Sequence, residues 1–581
     1  MTKRNIISII IAIFLYLLFC FPADTVNSSP RRGEGKGEGA VIAREEVPKQ
    51  SQFKIKLITG REINKNPVVI KTKSPQIFFS GRTGLKVYTS LSTVNTAVKT
   101  DESVLLGTKG GIVKYSGRAG SWDVLTTLDG LSANNVTDIA EIGETIWFGT
   151  APGEMGASNW GGLTWIEKHD NSLHRLSKKG GLLSSRITAL FQDGDSLYAG
   201  TDRGLNIIDV FERKVETLPD EKNYPREKIQ RIYGGDRYIW VIAQKKFPAD
   251  LIYWFDRKTR KWNKSLSRKI FTFDSVSSLA GAEEGIWVAG YRRILPSGKG
   301  NSIHPSPRRG EGAGEGEYVF SGLLKYNAAK KKKTFYTLPS GFFTSQCFIF
   351  SRGGNLNLWT DRGFGYLSNG VLKFYVNPKG RDPDKDFLKC LGYISRIYDD
   401  NDFWIPYKNG TAHYINGNWD VWKFSDTPSS DYLLSIASDS KGLWIGGEEG
   451  KIDRFLLNGE KWLHYQLPGK SGGANLRVEE IFFAGKGRLF ARCFDYNSRY
   501  RLFYVFNFKK GKWEAAGKIS SGKKNAGKPL PASIKDILKG FKFEADLKYS
   551  KYVEDKDYIW ITTYGSGLLR VDKRLPILGI N

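Results

Sequence analysis

Cysteine and histidine are scarce in this chain. Its 581 residues include four cysteines and five histidines. Cys347, Cys390 and Cys493 form an odd, widely spread set beyond the N-terminal apolar segment, so they do not indicate a disulfide framework. No two of the histidines have the spacing of a zinc or copper motif. The sequence therefore predicts no metal site and no cofactor.

Motifs for the common catalytic sites are also missing. The chain has no Gly-x-Ser-x-Gly elbow and no Walker loop. Asp382, Asp384 and Asp386 alternate as at the start of a calcium loop, but no glycine follows them and no glutamate closes the loop. We interpret them as a solvated acidic turn. We predict no catalytic residues, although carboxylates paired across separate repeats would leave no such motif.

The chain has one long apolar run, at its N-terminus. The segment 6–21 (IISIIIAIFLYLLFCF) follows Lys3 and Arg4, a pattern typical of a secretory signal or an uncleaved anchor. Cys20 stands where a lipoprotein would carry its lipid, but bulky Phe19 occupies a position that needs a small residue. We assign residues 1–28 to this segment and 29–84 to a low-complexity linker and lead-in. The rest is expected to be periplasmic or secreted, with membrane contact only through an uncleaved N-terminal segment.

Acidic residues are outnumbered by basic ones. Lysine and arginine total 88 against 60 aspartates and glutamates, a formal net charge of +28. In the cytosol this excess would favour nucleic acid. Behind a signal sequence we predict instead an anionic glycan or an acidic protein as partner, and no nucleic acid. The alternative is a solvated lysine surface, since the run 330–333 is typical of a turn between two strands.

A short phrase recurs ten times, and in nine of the copies its central residue is aromatic. Successive copies are mostly about 40 to 50 residues apart, which is the period of propeller blades built from short strands. The copies with tryptophan are centred on Trp147, Trp240, Trp287, Trp359, Trp404, Trp444 and Trp560, and the others on Leu105, Tyr198 and Phe490.

Each unit repeats the same internal order of strands. An apolar alternation precedes the aromatic phrase, a Gly-Leu strand follows it, and a fourth strand often carries its own tryptophan. Four antiparallel strands make one blade, and large aromatics fill the gap between neighbouring blades. We therefore predict that the tryptophans of the second and fourth strands are core residues. Those of the fourth strand are Trp122, Trp262, Trp419, Trp462 and Trp513.

The chain ends indicate how such a ring would close. The last unit supplies strands at 559–562 and 568–571, and the segment 85–91 (LKVYTSL) can provide its missing outer strand. We predict an all-β fold, a single closed β-propeller of ten blades over residues 85–581, with eight or nine as alternative counts. Inserts are expected at about 291–321 and 514–555, and the protein is expected to be a monomer.

The phrase SPRRGEGKGEG at 29–39 recurs as SPRRGEGAGEG at 306–316. Glycines beside arginines can hold phosphate, but neither copy lies between a strand and the start of a helix. The second copy falls between the second and third strands of one unit. We interpret both copies as low-complexity inserts.

The pattern Trp-x-Gly-Thr-x-x-Gly-Leu, with Asp129-Gly-Leu-Ser132 ahead of a first strand, resembles the two-component regulator propeller repeat. The resemblance covers about residues 85–572. It implies a periplasmic sensor propeller of the kind that binds carbohydrate fragments in hybrid histidine kinases, here without kinase or DNA-binding parts. The segment 158–165 is also similar to the Asp-box of sialidases, but Trp160 replaces its aspartate.

The resemblance implies a ligand site over the central channel, on the face formed by the loops that follow the aromatic phrase and the loops that enter the inner strand. These loops also carry the pair Glu448 and Glu449. Arginines and an exposed aromatic on one face suit a carboxylated sugar or an acidic peptide, although sequences such as Thr-Asp-Arg-Gly are also good tight turns. The ligand-binding residues that we predict are Glu154, Asn159, Trp160, Arg203, Arg292, Arg293 and Arg362.

These observations favour a binding or interaction module in the cell envelope and not an enzyme. One alternative is a propeller enzyme acting on polysaccharide, a lyase or a hydrolase. The other is a structural scaffold without a small ligand.

Overall fold

The computed structural model of the chain is an all-β structure. It describes residues 54–58, 70–79, 81–82, 84–100, 103–117, 119–152, 161–216, 222–235, 237–244, 250–271, 273, 275–282, 285–294, 318–327, 330–337, 347–352, 355–360, 363–368, 371–376, 402–407, 410–415, 418–469, 473–484, 487–516, 526–540, 547 and 549–575. The described strands form ten sheets of four to six strands, numbered here along the chain. Neighbouring strands within each repeat unit pair antiparallel, as blades require.

Sheets 1 to 5 consist of the following strands. Sheet 1 contains Ile77–Phe79, Val94–Lys99, Val104–Thr108, Gly111–Ser116 and Ser121–Leu125; sheet 2 contains Asn135–Ile142, Thr145–Ala151, Gly162–Glu167 and Leu173–Leu176; sheet 3 contains Ile187–Asp193, Ser196–Thr201, Gly204–Asp209 and Lys214–Val215; sheet 4 contains Ile229–Gly234, Tyr238–Ala243, Leu251–Asp256 and Lys261–Leu266; sheet 5 contains Ser275–Ala282, Gly285–Ile294, Tyr318–Asn327 and Lys332–Thr337.

Sheets 6 to 10 follow in the same way. Sheet 6 contains Lys54–Ile58, Cys347–Arg352, Asn355–Thr360, Gly363–Ser368 and Val371–Val376; sheet 7 contains Ile70–Lys73, Asp402–Tyr407, Gly410–Ile415 and Asn418–Lys423; sheet 8 contains Leu433–Asp439, Gly442–Gly447, Lys451–Leu456 and Lys461–Gln466; sheet 9 contains Leu476–Ala484, Arg488–Asp495, Arg501–Asn507 and Lys512–Ala516; sheet 10 contains Gly81–Arg82, Leu85–Tyr88, Lys528–Pro529, Lys551–Glu554, Tyr558–Thr562 and Leu568–Asp572.

The aromatic phrase forms the second strand of the unit in sheets 1 to 6, 8 and 9 and the strand after Lys551–Glu554 in sheet 10, as predicted; in sheet 7 it is the first strand of the unit among the described residues. In sheet 8 every residue of the second strand, Gly442–Gly447, is buried, whereas burial alternates along the fourth strand, Lys461–Gln466. The second strand therefore packs on both faces and the fourth mainly on one. The tryptophans of these strands are buried core residues wherever their side chains are described: Trp122, Trp147, Trp240, Trp262, Trp287, Trp404, Trp444, Trp462, Trp513 and Trp560.

The glycine of the phrase makes room for the next sheet. A Cβ atom on Gly149 would lie 2.7 Å from Cγ2 of Ile187, which begins the first strand of sheet 3. A Cβ atom on Gly446 would lie 2.4 Å from Cγ1 of Val478 in the first strand of sheet 9. Because such distances are too short for carbon contacts, a side chain at this position would force neighbouring sheets apart.

The N-terminal segment completes the last sheet. Leu85–Tyr88 pairs antiparallel with Leu568–Asp572, in register from Leu568 opposite Tyr88 to Val571 opposite Leu85. This confirms the predicted pairing of the two ends of the repeat region. Three further segments pair parallel to the outer strands of sheets 6, 7 and 1.

From sheet 1 to sheet 6, each sheet packs against the next sheet along the chain. Beyond sheet 6 this order of contacts changes. Sheet 7 contacts sheet 1, where the Trp122 ring lies 5.4 Å from that of Trp422 and 6.1 Å from that of Trp404. Sheet 8 packs on one side against sheet 9 and on the other against sheet 10. A single ring of ten would instead place sheet 7 beside sheet 8, so these contacts differ from the predicted order.

Helices are few and short among the described residues. Helix α1 spans Ser267–Phe271, helix α2 spans Ala532–Gly540, and a single 3₁₀ turn spans Lys178–Gly180. Ile534 and Leu538 of α2 pack against Leu85 and Val87, so this helix covers a face of sheet 10. None of the helices described is both long and apolar enough to cross a membrane.

The predicted insert in the fifth unit separates two strands that nevertheless pair. Gly285–Ile294 and Tyr318–Asn327 are antiparallel, with Ile294 opposite Tyr318 at their ends. Both copies of the SPRRGEG phrase lie outside the described residues.

Candidate functional site

Of the seven ligand residues predicted from sequence, the structure describes the side chain of one. Glu154, Asn159, Trp160 and Arg362 lie outside the described residues, and Arg292 and Arg293 are described only as backbone of the strand Gly285–Ile294. Arg203 is exposed in the turn between the second and third strands of sheet 3, and its backbone N–H donates to Thr201 Oγ1 at 3.0 Å. The interpretation of the Thr-Asp-Arg-Gly sequence as a tight turn accounts for the backbone hydrogen bond of Arg203. A role of the Arg203 side chain in ligand binding stays a prediction.

Loops from three different sheets meet around one carboxylate, Glu448. Glu448 follows the second strand of sheet 8, Tyr496 follows that of sheet 9, and Tyr564 follows that of sheet 10. The Tyr496 hydroxyl lies 3.4 and 3.3 Å from the two Glu448 carboxylate oxygens, and the Tyr564 hydroxyl lies 3.4 Å from Oε1. We call these three residues the Glu448 site.

Backbone contacts hold each of these loops in place: the Glu448 loop against sheet 9, the Tyr496 loop against the start of its own sheet, and the Tyr564 loop against the segment that enters sheet 8. The N–H of Gly450, two residues after Glu448, donates to the Leu476 carbonyl at 2.6 Å, and the N–H of Tyr496 donates to the Asn475 carbonyl at 3.0 Å. Tyr564 forms an isolated antiparallel bridge with Tyr432, which leads into the first strand of sheet 8. The loop positions are therefore fixed by main-chain contacts that do not depend on the side chains of the site.

The Glu448 carboxylate is half-buried and has no cationic partner within 4 Å among the described residues. Burial raises the pKa of this carboxyl above its usual range, while the positive charge of Arg477 and the two tyrosine hydroxyls offset part of the effect. Arg477 itself donates to Glu479 at 3.0 Å and lies 5.7 Å from the Tyr496 ring. Glu449, the next residue, pairs with Lys451 at 2.6 Å.

Aromatic rings lie beside the Glu448 site, and two of them are exposed. Tyr496 is 42% exposed and Tyr549 is 50% exposed. The Tyr564 ring packs edge-on against Tyr432, with centroids 5.0 Å apart, and lies 6.2 Å from that of Tyr549. Exposed tyrosine faces offer stacking surfaces, and the carboxylate with its hydroxyls offers hydrogen-bond acceptors and donors. This combination suits a ring-shaped ligand rich in hydroxyl groups.

The Glu448 site was only partly visible in the sequence. Glu448 stands on a loop of the predicted class, but the tyrosines were missed because Tyr496 and Tyr564 follow units in which the phrase is weak or shortened. A useful signal would have been that all three final units place Glu or Tyr within two residues of the end of the second strand.

A second feature is a buried carboxylate where the chain crosses between sheets. Asp431 lies on the segment from sheet 7 to sheet 8, and its Oδ1 accepts the N–H of Ser90, which leads from sheet 10 to sheet 1, at 2.5 Å. Burial raises the pKa of Asp431 to about 8. Its carbonyl also accepts the N–H of Gly565 at 2.9 Å, next to Tyr564. Asp431 thus joins the two crossing segments through its carboxyl and a loop of the Glu448 site through its backbone carbonyl.

Comparison with known proteins gives similarity to solved structures alone. No protein-family model matches the chain, and no curated protein matches it. The extracellular domain of a hybrid two-component system from B. thetaiotaomicron is 12% identical, with 86% of this chain and 77% of that one covered and a TM-score of 0.37. An ancestral GH74 enzyme is 11% identical, with 85% and 69% covered and a TM-score of 0.46. PorZ, a surface component of the type-IX secretion system of Porphyromonas gingivalis, is 11% identical, with 82% and 65% covered and a TM-score of 0.32. At these TM-scores the structural similarity supports no conclusion about function.

Proposed function

We propose that this protein is an extracytoplasmic binding module that recognises a saccharide at the Glu448 site. The observation that carries the proposal is the convergence of three loops, which places a half-buried carboxylate between two tyrosine hydroxyls beside exposed tyrosine rings. Saccharides present hydroxyl groups around their edge and C–H groups on their faces. The carboxylate can accept hydrogen bonds from the hydroxyl groups, and the tyrosine rings can stack on the C–H faces.

The location outside the cytoplasm rests on the N-terminal segment 6–21 and on the resemblance to sensor propeller repeats. The ligand class that the net charge of +28 favours is an anionic glycan or an acidic protein. We infer a monomer that contacts the membrane only through an uncleaved N-terminal segment.

We also infer that the sheets are blades arranged in two groups. Sheets 1 to 7 would form one ring, supported by the tryptophan contacts between sheets 7 and 1. Sheets 8, 9 and 10 would form a second group that carries the Glu448 site, with the strand Leu85–Tyr88 returning to it from the N-terminus. The first ring would then be inserted into the chain of the second group.

The enzyme alternative has one observation in its favour, the raised pKa of the Glu448 carboxyl. A raised pKa favours the protonated form of a carboxyl, which is the form that a general acid toward a glycosidic oxygen needs. Glycoside hydrolysis usually needs a second carboxyl at about 5 to 9.5 Å. Glu479, which shares the influence of Arg477 with Glu448, is already paired with Arg477 and Arg501 at 3.0 and 2.9 Å.

The test is a thermal-shift screen of the full-length protein against neutral and acidic oligosaccharides, at low and moderate salt. A ligand at a hundred times its dissociation constant stabilises the folded state by about 2.7 kcal/mol. We expect a stabilised protein and an intact ligand, and chromatography of each hit identifies any product. Cleavage would favour the enzyme, and an unchanged melting temperature with every saccharide would refute the proposal and favour a scaffold.

A further inference from the structure

A cavity of about 580 Å³ lies between sheets 4 and 5. It is lined by the start of the strand Tyr238–Ala243 and by the turn that joins Leu251–Asp256 to Lys261–Leu266, together with Tyr326 and Lys331 of sheet 5. These residues stand at the ends of the strands opposite to the loops that follow the aromatic phrase. The cavity is therefore a separate feature from any site on those loops.

The cavity wall is aromatic. Tyr238, Trp240 and Trp254 come from sheet 4 and Tyr326 from sheet 5. The two indole rings have centroids 5.8 Å apart and are tilted by 30°, and Tyr326 packs edge-on against Trp240 at 6.3 Å. Trp254 lines the cavity and is only partly buried, so its side chain is partly accessible to solvent.

The acidic group in the wall is already neutralised. Asp256 accepts from Arg237 through both carboxylate oxygens, at 3.0 Å from Nη2 and 3.3 Å from Nε, and from the backbone N–H of Lys258 at 3.0 Å. The hydrogen bonds from Arg237 hold the pKa of this carboxyl below its usual range. Its charge is thus directed into the turn and toward Arg237.

The basic groups in the wall are not neutralised in this way. Lys261 and Lys331 are exposed, and neither ammonium lies within 4 Å of a carboxylate in the part of the chain that the structure describes. Thr259 and Asn263 add a hydroxyl and an amide beside them. The polar side of the cavity therefore combines two cationic groups with two neutral hydrogen-bonding groups.

We propose that this cavity binds an acidic sugar unit of a glycan, with the Trp254 face stacking on the sugar ring and the Lys261 and Lys331 ammonium groups holding its carboxylate or sulfate. The volume falls within the range of about 300 to 1,000 Å³ typical of small-molecule sites, which favours a glycan segment over the surface of an acidic protein. The inference rests on the proposed function, because it names an acidic glycan as a ligand of the same binding module at a second site.

The experiment is isothermal titration calorimetry of the full-length protein with tetragalacturonic acid, its methyl ester and a sulfated maltotetraose. An ionic strength of about 0.15 M limits long-range attraction to about 8 Å. The double variant Lys261→Gln with Lys331→Gln removes both cavity charges. The matched control, Lys258→Gln with Lys332→Gln, removes two neighbouring exposed charges that do not line the cavity.

We expect the cavity variant to weaken binding of at least one acidic ligand tenfold or more, and the control to change it less than twofold. Trp254→Ala should weaken the same ligand, with unchanged circular dichroism as the check on folding. The acid and the sulfated ligand distinguish carboxylate from sulfate recognition, and the methyl ester should bind at least tenfold more weakly than the acid.

Equal weakening in both double variants, or no binding of either acidic ligand, would overturn the inference. Glu448→Gln separates this outcome from failure of the proposed function. Loss of acidic-ligand binding in Glu448→Gln but not in the cavity variant would show that the Glu448 site takes the acid. If a neutral saccharide still binds at the Glu448 site while the cavity variant binds acidic ligands as well as the control does, this inference fails and the proposed function stands.

Discussion

Replacing Trp444 by alanine is the sharpest test of the core between sheets 8 and 9. Trp444 is fully buried, and its ring lies 4.8 Å from that of Phe506 and 6.2 Å from that of Trp513, both in sheet 9. Its Nε1 donates to Asp439 Oδ2 at 2.9 Å, and the Arg454 guanidinium lies 4.7 Å from the ring. Removing a buried indole costs about 3 to 5 kcal/mol, because the transfer energy is lost and a cavity remains.

Trp444→Phe separates the two contributions to this loss. The phenyl ring keeps most of the apolar contact but cannot donate to the Asp439 carboxylate, so we expect a loss of about 1 to 3 kcal/mol. The exposed Tyr500, at 73%, gives a control, and Tyr500→Ala should change the free energy of unfolding by less than about 0.5 kcal/mol.

Urea unfolding followed by far-ultraviolet circular dichroism measures these differences. The unfolding midpoint of Trp444→Ala should fall well below that of the natural protein, with Trp444→Phe between them. A loss below about 1 kcal/mol for Trp444→Ala would refute the idea that the aromatic phrase supplies the core between neighbouring sheets.

Two further predictions concern the close approach of sheets and the buried carboxylate. A Cβ on Gly200 would lie 2.6 Å from Ile229 Cγ2, so Gly200→Val should destabilise the protein by about 1 to 3 kcal/mol in urea unfolding, and an unchanged midpoint would contradict the close packing of sheets 3 and 4. Burial raises the pKa of Asp431 to about 8 in the folded state, whereas in the unfolded state it titrates near pH 4. Between these two pH values the folded state therefore binds one proton more than the unfolded state. Stability should therefore decrease as pH rises from about 4 to about 8, and Asp431→Asn should flatten this dependence in melting curves; an equally steep decrease in both proteins would contradict the assignment.

The strands and the core were predictable because each repeat solves the same packing problem. The tryptophan of the phrase fills the space between sheets, and its glycine lets the next sheet approach, so both recur at fixed positions. The pairing of Leu85–Tyr88 with the last unit was predictable because that unit lacks an outer strand.

The order in which sheets pack was not predictable from the repeat. A period specifies how each unit folds, but it does not say whether sheet 7 contacts sheet 1 or sheet 8. One deciding contact joins Trp122 to Trp422, and Trp122 stands in a fourth strand, where sheets 4, 8 and 9 also carry a tryptophan.

The candidate sites were hidden for a related reason. Glu448, Tyr496 and Tyr564 come from three loops separated by tens of residues, and they meet only because sheets 9 and 10 both pack on sheet 8. The cavity between sheets 4 and 5 lies at the strand ends that the resemblance to sensor propellers does not associate with ligands.

The most direct measurement of the central claim is the affinity of the strongest saccharide hit for Glu448→Gln and Tyr496→Ala, by isothermal titration calorimetry. The matched controls are Glu449→Gln, one residue along the same loop, and Tyr500→Ala, an exposed tyrosine on the same loop as Tyr496. The proposal predicts at least a tenfold loss of affinity in each site variant and less than a twofold change in each control. Saccharide binding that is equally strong in the site variants and the controls would contradict the Glu448 site as the place of recognition.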